Sequence, residues 1–161
     1  MIRRAYSRVR YAVSSLRRHR SLTPVLHARE TLRNFTELCA EVDAAHSSAV
    51  AIAATPILFD TRFMDMQEFR RDTSTAQRAV TATDSSRELE AMDVAVLRAT
   101  LSWRVACESA RIKTRRGVLP DGTSLNIANQ DLLHEAIQVS ERGASRTEVV
   151  QLIRRAGFAV E

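Results

Sequence analysis

Residues 85–115 read SSRELEAMDVAVLRATLSWRVACESARIKTR. Ser85 and Glu88 have the Ser-x-x-Glu spacing of a capping box, in which each side chain satisfies the other residue's free backbone amide. Behind this start, Leu89, Met92, Val96, Ala99, Trp103 and Ala106 recur every three or four residues and make one helical stripe. Val94, Leu97, Leu101 and Val105 make a second stripe beside it. The pattern predicts one long helix over 86–115, ending before Gly117. An apolar surface this wide needs cover on more than one side. Trp103 is the expected central packing residue, and its indole N–H needs a partner.

The rest of the chain agrees with a helical reading. Its 161 residues and 18.0 kDa fit one domain. Hydrophobic residues at 45% and charged residues at 27% give an ordinary globular composition, with an aliphatic core because aromatics reach only 5%. All four glycines (Gly117, Gly122, Gly143 and Gly157) fall in the last 45 residues, so the first 116 offer no turn glycine. That excludes an all-β sandwich. Cys39 and Cys107 are the only cysteines, which excludes a disulfide scaffold. The expected fold is all-α: an irregular bundle of five or six helices, with an N-terminal basic amphipathic helix and a C-terminal α-hairpin.

Upstream, Thr23-Pro24 matches a cap and first-turn proline, and Leu26, Leu32, Phe35, Cys39 and Val42 carry a helical stripe over about 24–46. Cys39 reads as a small core residue. The 16 residues from Ala44 to Phe59 contain no Asp, Glu, Lys or Arg. A membrane span needs roughly 20 apolar residues, so this alanine-rich run is expected to be a closely packed helix ending near Pro56. Phe63, Met64, Met66 and Phe69 read as core, closed by Arg70-Arg71-Asp72. Residues 72–86 are polar and are expected to be a mobile connection, with Ala76 to Val80 able to hold a helical turn or two.

Downstream, Pro120-Asp121-Gly122-Thr123 is a turn, and the ligand positions of a calcium loop are missing around it. Helices are expected at about 128–141 (Leu132, Leu133, Ala136, Ile137) and 146–156 (Val149, Val150, Leu152, Ile153). Gly143 ends the first, and Ser145-Arg146-Thr147-Glu148 is a second capping box. This hairpin resembles the front half of some helix-turn-helix DNA-binding domains, but the recognition helix that should follow is replaced by Gly157-Phe158-Ala159-Val160-Glu161. Phe158 and Val160 are expected to tuck beneath it. The organisation expected is a basic arm over 1–22, a helical body over 23–117 and a helical hairpin over 118–161.

Charge is distributed unevenly. Arg3, Arg4, Arg8, Arg10, Arg17, Arg18, Arg20 and Arg29 precede the first carboxylate, Glu30, giving residues 1–29 a charge of +8 and leaving 16 basic against 19 acidic residues in the remainder. Ile2, Tyr6, Val9, Val13 and Leu16 form an apolar face on the arm. An Arg-rich, Ser-containing, acid-free amphipathic segment has the character of a mitochondrial transit peptide. A matrix-negative potential would draw it inward. A secretory signal would need an unbroken apolar region, which arginine interrupts here. The expected location is the mitochondrial matrix or the matrix face of the inner membrane, with the arm either cleaved or retained as a docking helix.

No P-loop, dinucleotide fingerprint, His-Glu-x-x-His pair or nucleophile elbow occurs. The expectation is therefore no enzyme, no catalytic residue, no cofactor, no metal site and no small-molecule substrate. Arg111, Lys113, Arg115 and Arg116 crowd the end of the long helix, where they oppose the negative end of its dipole; together with Arg3, Arg4, Arg10, Arg17 and Arg18 they are the candidate contacts to a partner or phosphate. The expected role is a non-catalytic structural or accessory subunit of a large mitochondrial assembly, bound to other protein subunits. The mildly acidic body tilts the choice toward a respiratory complex or ATP synthase over a ribosome. Two alternatives stay open. One is binding of rRNA, DNA or anionic lipid through the arm and the 111–116 cluster; the other is a bacterial or phage helical structural protein, since 23 arginines against one lysine also suit GC-rich coding.

Overall fold

The computed structural model describes residues 24–82 and 86–160, and the chain within them is all-α. Six helices follow in order: α1 (Pro24–Ser47), α2 (Ala49–Ala54), α3 (Met64–Thr81), α4 (Ser86–Arg115), α5 (Ile127–Glu141) and α6 (Arg146–Arg155). A 3-10 turn over Pro56–Phe59 links α2 to α3. The expected basic arm, the Thr23 cap and the Ser85 cap lie outside the described residues.

α4 has the boundaries its periodicity predicts, and it is the axis of the bundle. Met92, Val96, Ala99, Trp103 and Ala106 are buried, as their spacing requires. They are joined by Ala95 and Ala110, small residues that let α3 and the 3-10 turn approach closely. Phe69 of α3 meets the Trp103 ring at a centroid distance of 5.1 Å. Phe63 and Met66 are buried beside them, whereas Met64 points outward.

The stretch expected to be a polar connection is instead helix: α3 runs on to Thr81. Two features hold it. The hydroxyls of Thr73, Thr75 and Thr81 donate to the carbonyls of Phe69, Arg71 and Gln77, one turn back, so the polar residues do not compete for other partners. Asp72, expected to close the helix, is buried and accepts from Arg98 Nε of α4 at 2.9 Å.

The alanine-rich run is two pieces, because Ser48 takes an extended backbone and its hydroxyl accepts the Ala51 amide at 3.1 Å, capping α2. Ile52 and Ala53 are buried while Val50 is exposed. On α1 the face turned to the core differs from expectation in part: Phe35 and Val42 pack against the core as predicted, but the rest of the stripe does not. Leu26 and Leu32 are exposed, Cys39 is half-buried, and Thr31 and Leu38 are buried. At the other end, the Ser145–Glu148 capping box is present, Asn126 caps α5, and Phe158 and Val160 are buried beneath the hairpin.

The C-terminal tail is locked to the link before α3 by one buried carboxylate. Asp60 Oδ1 accepts from the Arg62 amide at 2.9 Å and from Arg62 Nε at 3.0 Å. Asp60 Oδ2 accepts from Arg62 Nη2 at 2.7 Å and from the Ala159 amide at 2.8 Å. Arg62 Nη2 also donates to the Gly157 carbonyl at 2.9 Å, and the Thr61 amide donates to the Ala159 carbonyl at 3.0 Å. Gly157 has φ +100, which lets the chain leave α6 and double back under it. Burial alone would raise the Asp60 pKa, but the hydrogen bonds from Arg62 and Ala159 outweigh it and hold the carboxyl below its ordinary value.

A depressed native pKa contributes stability that is fully present above the unfolded value, near 4, and is lost as pH falls through the native one. Stability should therefore decline below about pH 4 in the native protein. The Asp60→Ala variant should lose this acid dependence and about 1–3 kcal/mol of stability at neutral pH, the order of cost for leaving the Ala159 amide without its acceptor. Urea denaturation at pH 7 and pH 3.5 reads both.

Candidate interaction surfaces

Two recesses and one apolar stripe stand out on this bundle. The first recess, about 340 Å³, lies between α1 and α4. Its walls are more polar than an ordinary helix–helix seam. His27 and Thr31 both hydrogen-bond the carboxylate of Asp93. Farther along, Glu41 accepts from the Trp103 indole N–H at 2.9 Å and from Arg104 Nη2 at 3.0 Å, which supplies the partner that Trp103 needs. These bonds run in the same order along both helices, so α1 lies parallel to α4 and its register is set by polar groups.

Beside this recess the second stripe of α4 is only partly covered by the described residues. Val94 is 64% exposed and Val105 50%, with Leu97 and Leu101 half-buried between them. The stripe runs from the N-terminal third of the helix to its C-terminal third. Four aliphatic side chains at helical spacing make a continuous apolar strip on the outside of the bundle.

The second recess, about 300 Å³, lies where α4 ends against α5. Here the four candidate cations separate. Lys113 Nζ donates to the Pro120 carbonyl at 2.8 Å and sits 5.3 Å from the Phe63 ring centroid, so it pins the 120–123 turn to the core. Arg111 pairs with Glu108 at 3.8 Å on the helix surface. Arg115 and Arg116 are exposed and line the recess, and their side chains make no ion pair or hydrogen bond with any described residue. Arg3, Arg4, Arg10, Arg17 and Arg18 lie outside the described residues. The basic face of the hairpin is engaged in part: Arg154 Nε donates to the Val160 carbonyl at 2.7 Å and Arg146 Nε to the His46 carbonyl at 3.0 Å.

Sequence reasoning missed Asp60, Asp93, Glu41 and Thr114. The partners of Asp93 and Glu41, and the Ala159 amide that Asp60 accepts from, lie more than sixty residues away along the chain, and no local spacing announces them; the other bonds to Asp60 come from Arg62, two residues on. Thr114 stands out only once its hydroxyl is seen to be buried without a hydrogen bond.

Among the described residues no cluster of His, Cys, Asp and Glu could hold a metal ion. No helix of the described residues is long and apolar enough to cross a membrane. Burial pushes the Cys107 thiol up to about 11, with Glu41 adding to the effect and Arg104 opposing it. Burial and then Asp43 also raise Cys39. Neither thiol is activated as a nucleophile, since activation requires a lowered pKa. Comparison with protein-family models, with curated proteins and with solved structures finds no match to this chain.

Two outcomes follow from this geometry. Cys107 should react with a thiol-disulfide reagent at pH 7 far more slowly in the native protein than in urea, by at least about tenfold, given the small thiolate fraction. Glu41→Ala should strand the buried indole N–H and cost about 1–3 kcal/mol, read by denaturation followed through the fluorescence of Trp103, the one tryptophan in the chain.

Proposed function

We propose that this chain is a non-catalytic structural or accessory subunit of a large mitochondrial assembly, a respiratory complex or ATP synthase rather than a ribosome. The observation that carries the reading is the stripe Val94–Leu97–Leu101–Val105 on α4, exposed at Val94 and Val105 and half-buried between them. A helix that packs its first stripe to completion and leaves a second one in water is a surface for a partner's helix. The rigid frame beneath it, set by the Asp60 and Glu41 contacts, keeps that surface pre-formed, which lowers the ordering cost of binding. The arginine-rich, acid-free leader supports the mitochondrial part of the reading.

A second reading is favoured by Arg115 and Arg116, whose charges are not taken up inside the bundle: binding of nucleic acid through these residues and the basic arm. Retention on RNA or DNA that falls steeply with salt, and is lost on Arg-to-Ala changes in the arm and at 115–116, would select it over the first.

The assembly reading is tested in cells. Residues 1–30 fused to a fluorescent protein should carry it to mitochondria, and the tagged full chain should copurify with subunits of one membrane complex. Val94→Asp/Val105→Asp should abolish copurification while changing stability by no more than about 0.5 kcal/mol per site, as for surface substitutions. A reporter left in the cytosol sinks the mitochondrial part. Copurification undiminished by the double variant sinks the α4 surface.

A further inference from the structure

The recess at the end of α4 carries an inference of its own. Its floor is apolar, made by Ala53, Leu125, Leu133 and Ile137, and its polar lining includes Arg115, Arg116, His134 and Thr114. Thr114 Oγ1 is buried, and among the described residues it is the one buried side-chain oxygen or nitrogen without a hydrogen bond. This is not how threonine behaves elsewhere in the chain. On the helices, Thr36, Thr73, Thr75, Thr81 and Thr100 all donate to the carbonyl one turn back. Leaving such a group unmade costs free energy, and because Thr114 lines the recess, a turn about its Cα–Cβ bond would bring the hydroxyl to a ligand there. Two guanidinium groups at the same recess have no counter-charge among the described residues.

We propose that this recess binds a phosphate monoester bearing a small apolar body, with Arg115 and Arg116 gripping the phosphate, the Thr114 hydroxyl donating to one of its oxygens, and the apolar part resting on Leu125, Leu133 and Ile137. Charge selects phosphate over carboxylate. Two free guanidinium charges match a group carrying about −1.5 to −2 near neutral pH, whereas a carboxylate would leave one cation uncompensated. Guanidinium forks also present paired donors to phosphate oxygens. The negative end of the α4 dipole, which would oppose an anion, is largely covered: the amides of Arg116, Gly117 and Val118 already bond the carbonyls of Ile112, Thr114 and Lys113. A volume of about 300 Å³ suits a small ligand. The same chemistry arises in a soluble phosphorylated metabolite and in the headgroup of a monoester phospholipid. The site does not depend on the assembly reading, and a failed import or copurification experiment leaves it standing.

The test uses the full chain with two probes: phenyl phosphate in solution, and phosphatidylcholine vesicles with and without phosphatidic acid. Binding is followed by NMR at the Thr114, Leu133 and His134 resonances, so that diffuse attraction of anions to the N-terminal arginines is not counted. Saturable shifts with phenyl phosphate identify a soluble ligand. Shifts only with phosphatidic acid vesicles identify a lipid headgroup. In either case Arg115→Ala/Arg116→Ala should weaken binding by at least about tenfold, the order expected on losing charge-assisted hydrogen bonds. Thr114→Val should weaken it severalfold while leaving Tm unchanged or raised, because it deletes an unsatisfied hydroxyl; a merely structural threonine would not give that combination. No saturable shift with either probe overturns the proposal, as does affinity that survives the double arginine change.

Discussion

Everything in this bundle depends on one carboxylate that has left water. Asp60 sits in the link between α2 and α3, and the segment it captures, residues 157–160, is the far end of the chain. Each of its two oxygens accepts two hydrogen bonds, so the desolvation cost of a buried charge is offset by a full set of donors. Joining these points draws the Phe158 and Val160 side chains under the hairpin and carries α6 onto the bundle. Without it, the tail would keep its backbone bridge at Thr61, the bonds from Arg62 and Arg154 and the burial of Phe158 and Val160, but lose the carboxylate that gathers them.

The α1–α4 seam follows a different principle from the α3–α4 seam. Between α3 and α4, aromatic and small aliphatic residues interlock, and the buried Asp72 pairs with the exposed Arg98 at the edge. Between α1 and α4 the contacts are polar: His27 and Thr31 on Asp93, Glu41 on Trp103 and Arg104. Apolar contacts tolerate sliding; a carboxylate that must meet an indole N–H does not. α1 is therefore held less by burial than by register, and a recess remains beside it because polar side chains need room and solvent on one side.

What could be read from the sequence follows the range of the interactions. Ser145–Glu148 was legible because both partners of the box lie within four residues. The buried stripe of α4 was legible because one helix face repeats the signal six times. The polar run 72–82 was misleading because its hydroxyls are satisfied one turn back and Asp72 by Arg98 on another helix; composition shows the polar groups and hides their partners. Phe35 and Val42 of the expected α1 stripe do pack against the core, but Leu26 and Leu32 do not, because that face also carries Thr31 and Glu41, which hydropathy counts as surface. The 111–116 cluster shows the same limit at the site. Four cations look alike in sequence, yet Lys113 is structural, Arg111 is paired, and only Arg115 and Arg116 are left over.

That sorting is also the strongest guide to function available without a relative. A folded chain normally satisfies its buried polar groups and covers its long apolar stripes, so what stays unsatisfied in a well-packed bundle marks where another molecule belongs. Here the residue of that accounting is small and divides cleanly. One apolar stripe lies along the outer face of α4, and one hydroxyl with two guanidinium groups lies at its C-terminal end. On the proposals above, the first would take a helix and the second an anion. Because α4 is a single continuous helix with its core face fully packed, the two surfaces are held in fixed relation to each other, and a ligand at one end would be presented at a set distance from a partner seated along the stripe.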